Sequence, residues 1–454
     1  MTTHDLVVIG GGVAGLTIAW EAARAGLDVV VCETGDETGG MLRRGTVAGV
    51  DVDLGAESFA TRTSGVVDLV ADARLPVQFA PPKPAGAHLA YRGALGRTRR
   101  APLPRRALIG LPADPAAPDV ARILGRAGTR RAAQERSLAA VAGAEPSLAD
   151  LATLRYGAAV TTRLVEPLCR SVYSQDAASV RLSALHPALW AEFAERGSLT
   201  AAVDALAPAT RAGSAVRGIE GGLWRLAAEL QAVALRAGAV IRTGTAVREI
   251  RSTAGGTLVV VDGETLPTRN VVVATGPAAA ARLLGVDVAP AAPVRLTVAE
   301  ITAPRLAAAP VGSGVIVAPD VDTPAKALTH VDAKWEWAAA ALPAGTSVVR
   351  LSARDGVAGG LDTPAAVARA VRTLTGVAVS PGAVRSLTAV TWPDAVCPPA
   401  TRIALTRAAA DRGIRLAGAV AAGTGLASVI PHARALAADL IAHPTPHEGA
   451  RHVR

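Results

Sequence analysis

The sequence predicts an α/β fold, and three features in its first 40 residues carry that prediction. A β-branched run (DLVVI, 5–9) leads into GGGVAG, helical spacing follows in TIAWEAARAG, and a second apolar run, DVVVCE, ends in an acid. Gly26 stands where a helix-closing glycine is expected. Residues 1–80 are therefore read as the first part of a nucleotide-binding domain. From 95 to 206, Ala, Arg and Leu recur at helical spacing, which predicts a mainly helical insertion. Residues 215–290 return to the first domain with a helix (GGLWRLAAELQAVALRAG), two strand segments (VIRTGTAVREI, TLVVVDGETLP) and VVVATGP, a buried strand ending in a glycine turn. Short strands and one helix, PAAVARAVRTLTG, make 291–390 a mixed-sheet second domain. Residues 391–445 supply the third part of the first domain, ending in a glycine-rich loop and a final helix, and 446–454 form a tail. A chain of 454 residues exceeds one compact core, in keeping with this division.

Composition narrows the class. Half the residues are hydrophobic, yet no run of about 18 uninterrupted apolar residues occurs, so no transmembrane helix is expected. The start, MTTHDLVVIGGG, lacks a basic region and a cleavage site; the expectation is a cytoplasmic protein without a signal peptide. Cys32, Cys169 and Cys397 show no CxxC spacing and are read as buried thiols, and the histidines form no metal motif. The net charge of +9 is almost all arginine, the only lysines being Lys83, Lys326 and Lys334. It reflects compositional bias or attraction to anionic lipid or a polyanionic substrate. Scattered basic residues and 3% aromatic content argue against nucleic acid. The densest basic stretch, Arg97 to Arg106, reads as a solvated loop.

The glycines at 10, 12 and 15 have separate tasks. Gly10 makes a tight turn, Gly12 lets the backbone approach a pyrophosphate, and Gly15 allows the helix to lie against the strand. Free N–H groups and the positive helix end then hold the phosphates. Glu33, 18 positions beyond Gly15, can accept both ribose hydroxyls and disfavours a 2'-phosphate. A second glycine turn, Gly39-Gly40, leads into RRGTVAGVDVDLGAESF, a layout that resembles flavoproteins of the amine oxidase and porphyrinogen oxidase group and so implies FAD in place of NAD.

The whole series resembles the bacterial, especially actinobacterial, protoporphyrinogen/coproporphyrinogen oxidase family of FAD-dependent enzymes. GAESFATR (55–62), RLVEPLCRSVYSQDAASVRLSALHPAL (163–189), ERGSL, GGLWRL, AKALTHVDAKWEW (325–337) and AGTGLASVI carry the resemblance over nearly the whole chain. It implies an FAD-binding Rossmann-like domain, a mixed-sheet substrate domain and a helical insertion able to face a membrane. The FAD contacts so implied are Gly10, Gly11, Gly12, Val13, Ala14, Gly15, Glu33, Thr34, Gly39, Gly40, Met41, Gly55, Ala56, Glu57 and Ser58. Val247 (backbone to adenine), Thr275, Gly276, Trp392 (near the flavin), Gly418, Gly423, Thr424, Gly425 and Leu426 complete the set. Three departures stand out. SVYSQDA (171–177) replaces the family's GVYAGDP, so Ser171, Ser174 and Gln175 reshape that stretch; Met41 replaces a common basic residue; and PDAVCPP follows Trp392.

The resemblance implies oxidation of a porphyrinogen to a porphyrin in haem biosynthesis, with FAD accepting hydride and oxygen reoxidising it to give hydrogen peroxide. No catalytic base is assigned. Candidate substrate residues are Glu57, toward a pyrrole N–H; Arg62, toward a propionate; and His330 with Lys334, in a stretch holding two of the three lysines. Ferrochelatase is the candidate receiver of the product, and Leu-rich helices near 181–206 are the candidate lipid-facing surface. Two other readings stay open: an amine oxidase or carotenoid desaturase relative, and an inactive FAD-binding paralogue. Three Tyr and three Phe leave little for the aromatic cage of an amine oxidase.

Overall fold

The computed structural model describes residues 3–443 apart from 94, 139–142, 174, 208–214, 254–255 and 355–359. The tail at 446–454 and Ser174 thus lie outside the described residues. Valine-rich strands apolar on both faces need cover on both sides, and this shapes the nucleotide-binding half. His4–Ile9 pairs in parallel with Val29–Cys32 on one side and with the end of Glu264–Val273 on the other. Val240–Arg242 extends the sheet beyond Val29–Cys32, Arg415–Leu416 pairs beside Glu264–Val273, and the antiparallel strands Gly256–Val261 and Val247–Thr253 complete it.

The first helix, Val13–Arg24, is buried from Val13 to Ala23, because Trp224–Arg236 and Leu426–Ala442 pack against it. Its small residues Ala14, Gly15, Ala19 and Ala22 permit that close approach. Glu21 is buried there with its charge matched by Arg24 and Arg434, and Arg434 also reaches Asp72 at 2.6 Å. This network ties the last helix to the first.

The second sheet has the order Val384–Trp392, Val294–Thr302, Thr346–Ala353, Ala325–His330, Gly314–Val317, Ala87–Arg92, Thr98–Pro102. All its pairs are antiparallel except Gly314–Val317 with Ala87–Arg92. Alternation divides its side chains between two faces. Val349, Leu351 and Leu328 share an apolar core with the helix Pro364–Thr375. Arg350 and Val348, one position out of phase, face the opposite way, toward the first domain.

Two expectations change here. The segment from 95 does not begin as helix, nor is Arg97 to Arg106 a loop throughout: Thr98–Pro102 is the edge strand of the second sheet, with Ala101 buried and Arg99 exposed. A run of arginines disguises the period-two pattern, because Arg97, Arg99 and Arg100 surround Thr98 and leave no apolar contrast between the two faces. Helices begin at Pro118. The Leu-rich helices near 181–206 do not present an apolar face either, because Leu182, Leu189, Phe193, Leu199 and Val203 are buried in the helical core. That core also holds a buried ion pair: Arg155 grips Glu135, whose carboxylate further accepts from the Ser198 hydroxyl and the Leu199 and Thr200 amides. With the carboxylate so fully engaged, the charge is tolerated and the helices are pinned in one arrangement.

Candidate active site

The phosphate end is built from backbone. Gly10 has φ +108°, and a Cβ there would lie 2.7 Å from the Ala274 carbonyl oxygen; at Gly15 a Cβ would lie 2.0 Å from the Gly10 oxygen. Both glycines are required by the protein's own packing. Gly12 is different. Its φ of −71° suits any residue, and an added Cβ would meet nothing nearer than the Gly40 Cα at 4.0 Å. No side chain caps the helix that starts at Val13, so the amides of Val13 and Ala14 open onto this strip. A bare glycine beside an uncapped helix start fits a phosphate group drawn against the backbone.

Glu33 lies beside it, its carboxylate accepting from the Gly11 amide at 2.7 Å and the Gly35 amide at 2.8 Å. It lines a cavity of about 530 Å³ with Gly40, Met41, Arg43, Gly276 and Trp392. Thr34 is exposed on the rim. Gly39 donates its N–H to the Gly11 carbonyl at 2.8 Å, which joins the two glycine turns. Val247 is buried, paired in register with Val261, and its carbonyl accepts from Arg282 at 2.9 Å. Thr275 packs its methyl near Gly10, and Gly276 lies against Asp394.

Next along the cavity, a Cβ on Gly55 would come within 1.8 Å of the Met41 carbonyl oxygen, which the Ala56 amide contacts at 3.2 Å. Trp392 donates its indole N–H to the Leu54 carbonyl at 3.1 Å. At the far end the last helix, Leu426–Ala442, starts at Gly425 (φ +101°) with no side-chain cap and no atom within 4 Å of a built Cβ. Thr424 is exposed beside it, Gly418 and Gly423 also have positive φ, and a Cβ on Gly423 would press on Arg402. Two helices, from Val13 and from Leu426, thus start without a side-chain cap, each preceded by a bare glycine.

Residues 13–306 match the family described as flavin containing amine oxidoreductase. The chain belongs to that family. The flavin of this family member is FAD, consistent with a tract built for a dinucleotide. The chain is 33% identical over 366 residues to the coproporphyrinogen III oxidase of Mycobacterium leprae, spanning 78% of each protein. A structure from an Exiguobacterium species, provisionally named a protoporphyrinogen oxidase, shares the fold with TM-score 0.82 and 21% identity, covering 98% of this chain and 100% of that one. Cyclohexylamine oxidase from Brevibacterium oxydans also shares the fold, with TM-score 0.65 and 17% identity over 97% and 99% of the two chains.

In this flavin-containing oxidoreductase, a buried cluster at Glu57 is built from side chains. Glu57 is buried and pairs with Lys334 at 2.7 Å and Arg350 at 3.2 Å. Burial pushes its carboxyl up, but Arg350 and Lys334, with hydrogen bonds from Lys334 and Trp335, outweigh that and hold it down to about 2. Arg350 also donates to the Gly55 carbonyl at 2.5 Å, and the Lys334 ammonium lies 3.4 Å from the Ser58 hydroxyl and 4.9 Å from the Trp335 ring centre. Close by, burial pushes the Asp53 carboxyl up to about 7, against the Leu223 and Trp224 amides that it accepts.

Lys334 and Glu57, expected as separate substrate contacts, form one ion pair, with Arg350 as a member that sequence reading missed. Nothing in the spacing marks Arg350 among 44 arginines, since only strand register aims it at Glu57. His330 does not join them. It pairs in register with Val349, so it lies on the helix-backed face, fully buried, with its Nε2 at 3.2 Å from Asp332. Arg62 is exposed and donates to the Ser428 hydroxyl at 2.6 Å, at the start of the last helix. Arg43 was also missed: it projects into the cavity beside Met41, whereas Leu42 between them turns into the core. Of the altered SVYSQDA stretch, the Ser171 hydroxyl donates to the Lys326 carbonyl at 3.1 Å, linking the helical region to the second sheet. Cys32, Cys169 and Cys397 are buried, and among the described residues there is no metal-binding cluster and no helix long and apolar enough to cross a membrane.

Proposed function

We propose that this chain oxidises coproporphyrinogen III, or protoporphyrinogen IX, to the corresponding porphyrin with oxygen as the final acceptor. The observation that carries the reading is the likeness over 366 residues to a coproporphyrinogen III oxidase. Bound FAD would accept each of three hydrides and return the electrons to oxygen, so that one porphyrinogen and three molecules of oxygen yield one porphyrin and three of hydrogen peroxide.

The chain's own residues prepare the site for that chemistry. Gly12 and the amides behind it would hold the pyrophosphate, and Glu33 the ribose. The start of the last helix would supply positive potential at the far end of the tract. Lys334 and Arg350 share one carboxylate, which leaves the buried cluster with net positive charge, suited to an anionic macrocycle. Glu57, held ionised by both cations, acts as their anchor and not as a proton acceptor. Arg62, exposed at the helix start, would meet a propionate.

The aromatic residues support this reading over amine oxidation. Phe59 packs edge-on against Phe79, and Phe193, Tyr91 and Tyr156 are buried in the core. With these five engaged in packing, Tyr173, half-buried near Arg62, is the one Tyr or Phe left for a cage around an amine. Ferrochelatase is the expected receiver of the product. Anaerobic mixing of the FAD-loaded protein with each porphyrinogen tests the reading: flavin bleaching is expected. Bleaching by putrescine alone would move the chain to the amine oxidases, and bleaching by none would leave a carotenoid desaturase relative or an inactive FAD-binding paralogue.

A further inference from the structure

The positive charge of this protein is concentrated in one segment. Between Arg92 and Arg136 lie eleven arginines and only three acidic residues, so this segment carries +8 of the formal +9. The structure uses a few of these arginines internally. Arg100 donates to the carbonyls of Thr373 and Leu374 at the end of a helix, Arg131 to those of Leu154 and Arg155, and Arg106 pairs with Asp204. The acids are engaged too: Asp119 accepts the Arg105 and Val120 amides, Asp114 the Ala116 amide, and Glu135 is buried against Arg155. Arg97, Arg99, Arg105, Arg122, Arg126 and Arg130 are exposed, and among the described residues none has a side-chain ion pair.

Several of these residues lie on two elements that pack together. The Tyr91 hydroxyl donates to the Arg122 carbonyl at 3.2 Å, and Arg163 reaches the carbonyls of Ile123 at 2.8 Å and Arg92 at 3.5 Å, locking the hairpin Ala87–Pro102 against the helix from Pro118. Arg105, Arg106 and Arg122 border one groove of about 610 Å³. At the hairpin turn Leu95 is 89% exposed, flanked by Arg92 and Arg97. No aromatic residue occurs from 92 to 136, so bases would find nothing to stack on.

We propose that this arginine surface, with Leu95 at its tip, docks the protein on an anionic lipid bilayer. The guanidinium groups meet lipid phosphates and Leu95 enters the headgroup layer. This surface replaces the Leu-rich helices near 181–206, whose apolar side chains are buried. It does not depend on the reaction proposed above.

The test is co-sedimentation of the FAD-loaded protein with phosphatidylcholine vesicles, with and without phosphatidylglycerol, at low and high salt. Binding is expected only with phosphatidylglycerol and is lost at high salt. Each basic group near such a surface contributes about 1 kcal/mol, or roughly fivefold, so changing Arg97, Arg99, Arg105 and Arg122 together to Gln weakens partitioning by about a hundredfold or more. A charge-matched control, Arg305, Arg369, Arg385 and Arg407 to Gln, keeps most of the binding, and Leu95→Ala weakens it several-fold. No binding at low salt, or equal loss in the control, overturns the proposal. So does an unchanged Leu95→Ala variant that binds a DNA duplex as tightly as the vesicles, which would assign the surface to nucleic acid. Flavin content and melting temperature confirm that each variant is folded.

Discussion

The two ends of the site are made differently. The glycine-rich end consists of main-chain amides and absent side chains within contiguous motifs, Gly10 to Gly15 and Gly39-Gly40. The charged cluster consists of Glu57, Lys334 and Arg350, brought from positions nearly 300 residues apart. The first needs only a local chain conformation, whereas the second needs two sheets in register. What spacing along the chain leaves open at both is where the long side chains reach, Arg350 toward Glu57 and Arg43 toward the cavity beside Gly40.

The sharpest way to break the comparison is at Gly12. Gly12→Val is expected to fold normally, since nothing of the protein occupies the space, yet to weaken FAD retention by roughly a hundredfold or more through the lost phosphate contact. Gly15→Ala should instead lower the melting temperature, because its Cβ would strike the Gly10 oxygen. Flavin absorbance after gel filtration, with thermal unfolding, separates the two. If Gly12→Val retained FAD, the open strip would not be the phosphate site.

At the other end, Glu57→Leu strands two cations and should cost about 3–5 kcal/mol, read as a lower midpoint in urea. The pH dependence has a definite sign. Because the folded carboxyl is held down to about 2 from an ordinary 4.5, its stabilisation is complete above pH 4.5 and lost as pH falls toward 2. Glu57→Gln should flatten the stability profile in that window, and an unchanged acid limb would contradict the ion-pair reading.

Arg43→Gln tests a long side chain serving the backbone-built end. A raised FAD dissociation constant of about tenfold, shrinking with salt, is expected for one charged contact to phosphate. Fluorescence titration of apoprotein measures it, with Arg44→Gln as control, since Arg44 pairs with Asp51 at 3.3 Å. The smallest effects concern substrate choice. Lys334→Ala should reduce kcat/KM alike for the tetra- and dicarboxylate porphyrinogens, because Lys334 serves Glu57. A selective loss with the tetracarboxylate would restore Lys334 as a propionate ligand. His330→Gln should leave both KM values within about twofold, its ring lying behind the sheet.

Much of the fold was legible because the strands DLVVI and VVVATGP are continuous apolar runs and the helices are strongly periodic. The edge strand Thr98–Pro102 was not, because its alternation is masked by arginines on both faces. Burial of the helices near 181–206 was equally hidden: periodicity reports an apolar face but not what covers it. His330 and Lys334 are four residues apart, close enough in sequence to suggest a common site, yet the strand ends between them and a helical turn sends Lys334 to the other side.

By itself the amino-acid order determined the glycine turns, the uncapped helix starts and the acid closing the second strand, because backbone conformation over a few residues follows from which side chains are small or missing. Tertiary structure decided which charges meet. An ion pair such as Glu57 with Lys334 and Arg350 depends on strand register and sheet packing, and no local spacing along the chain encodes those distances.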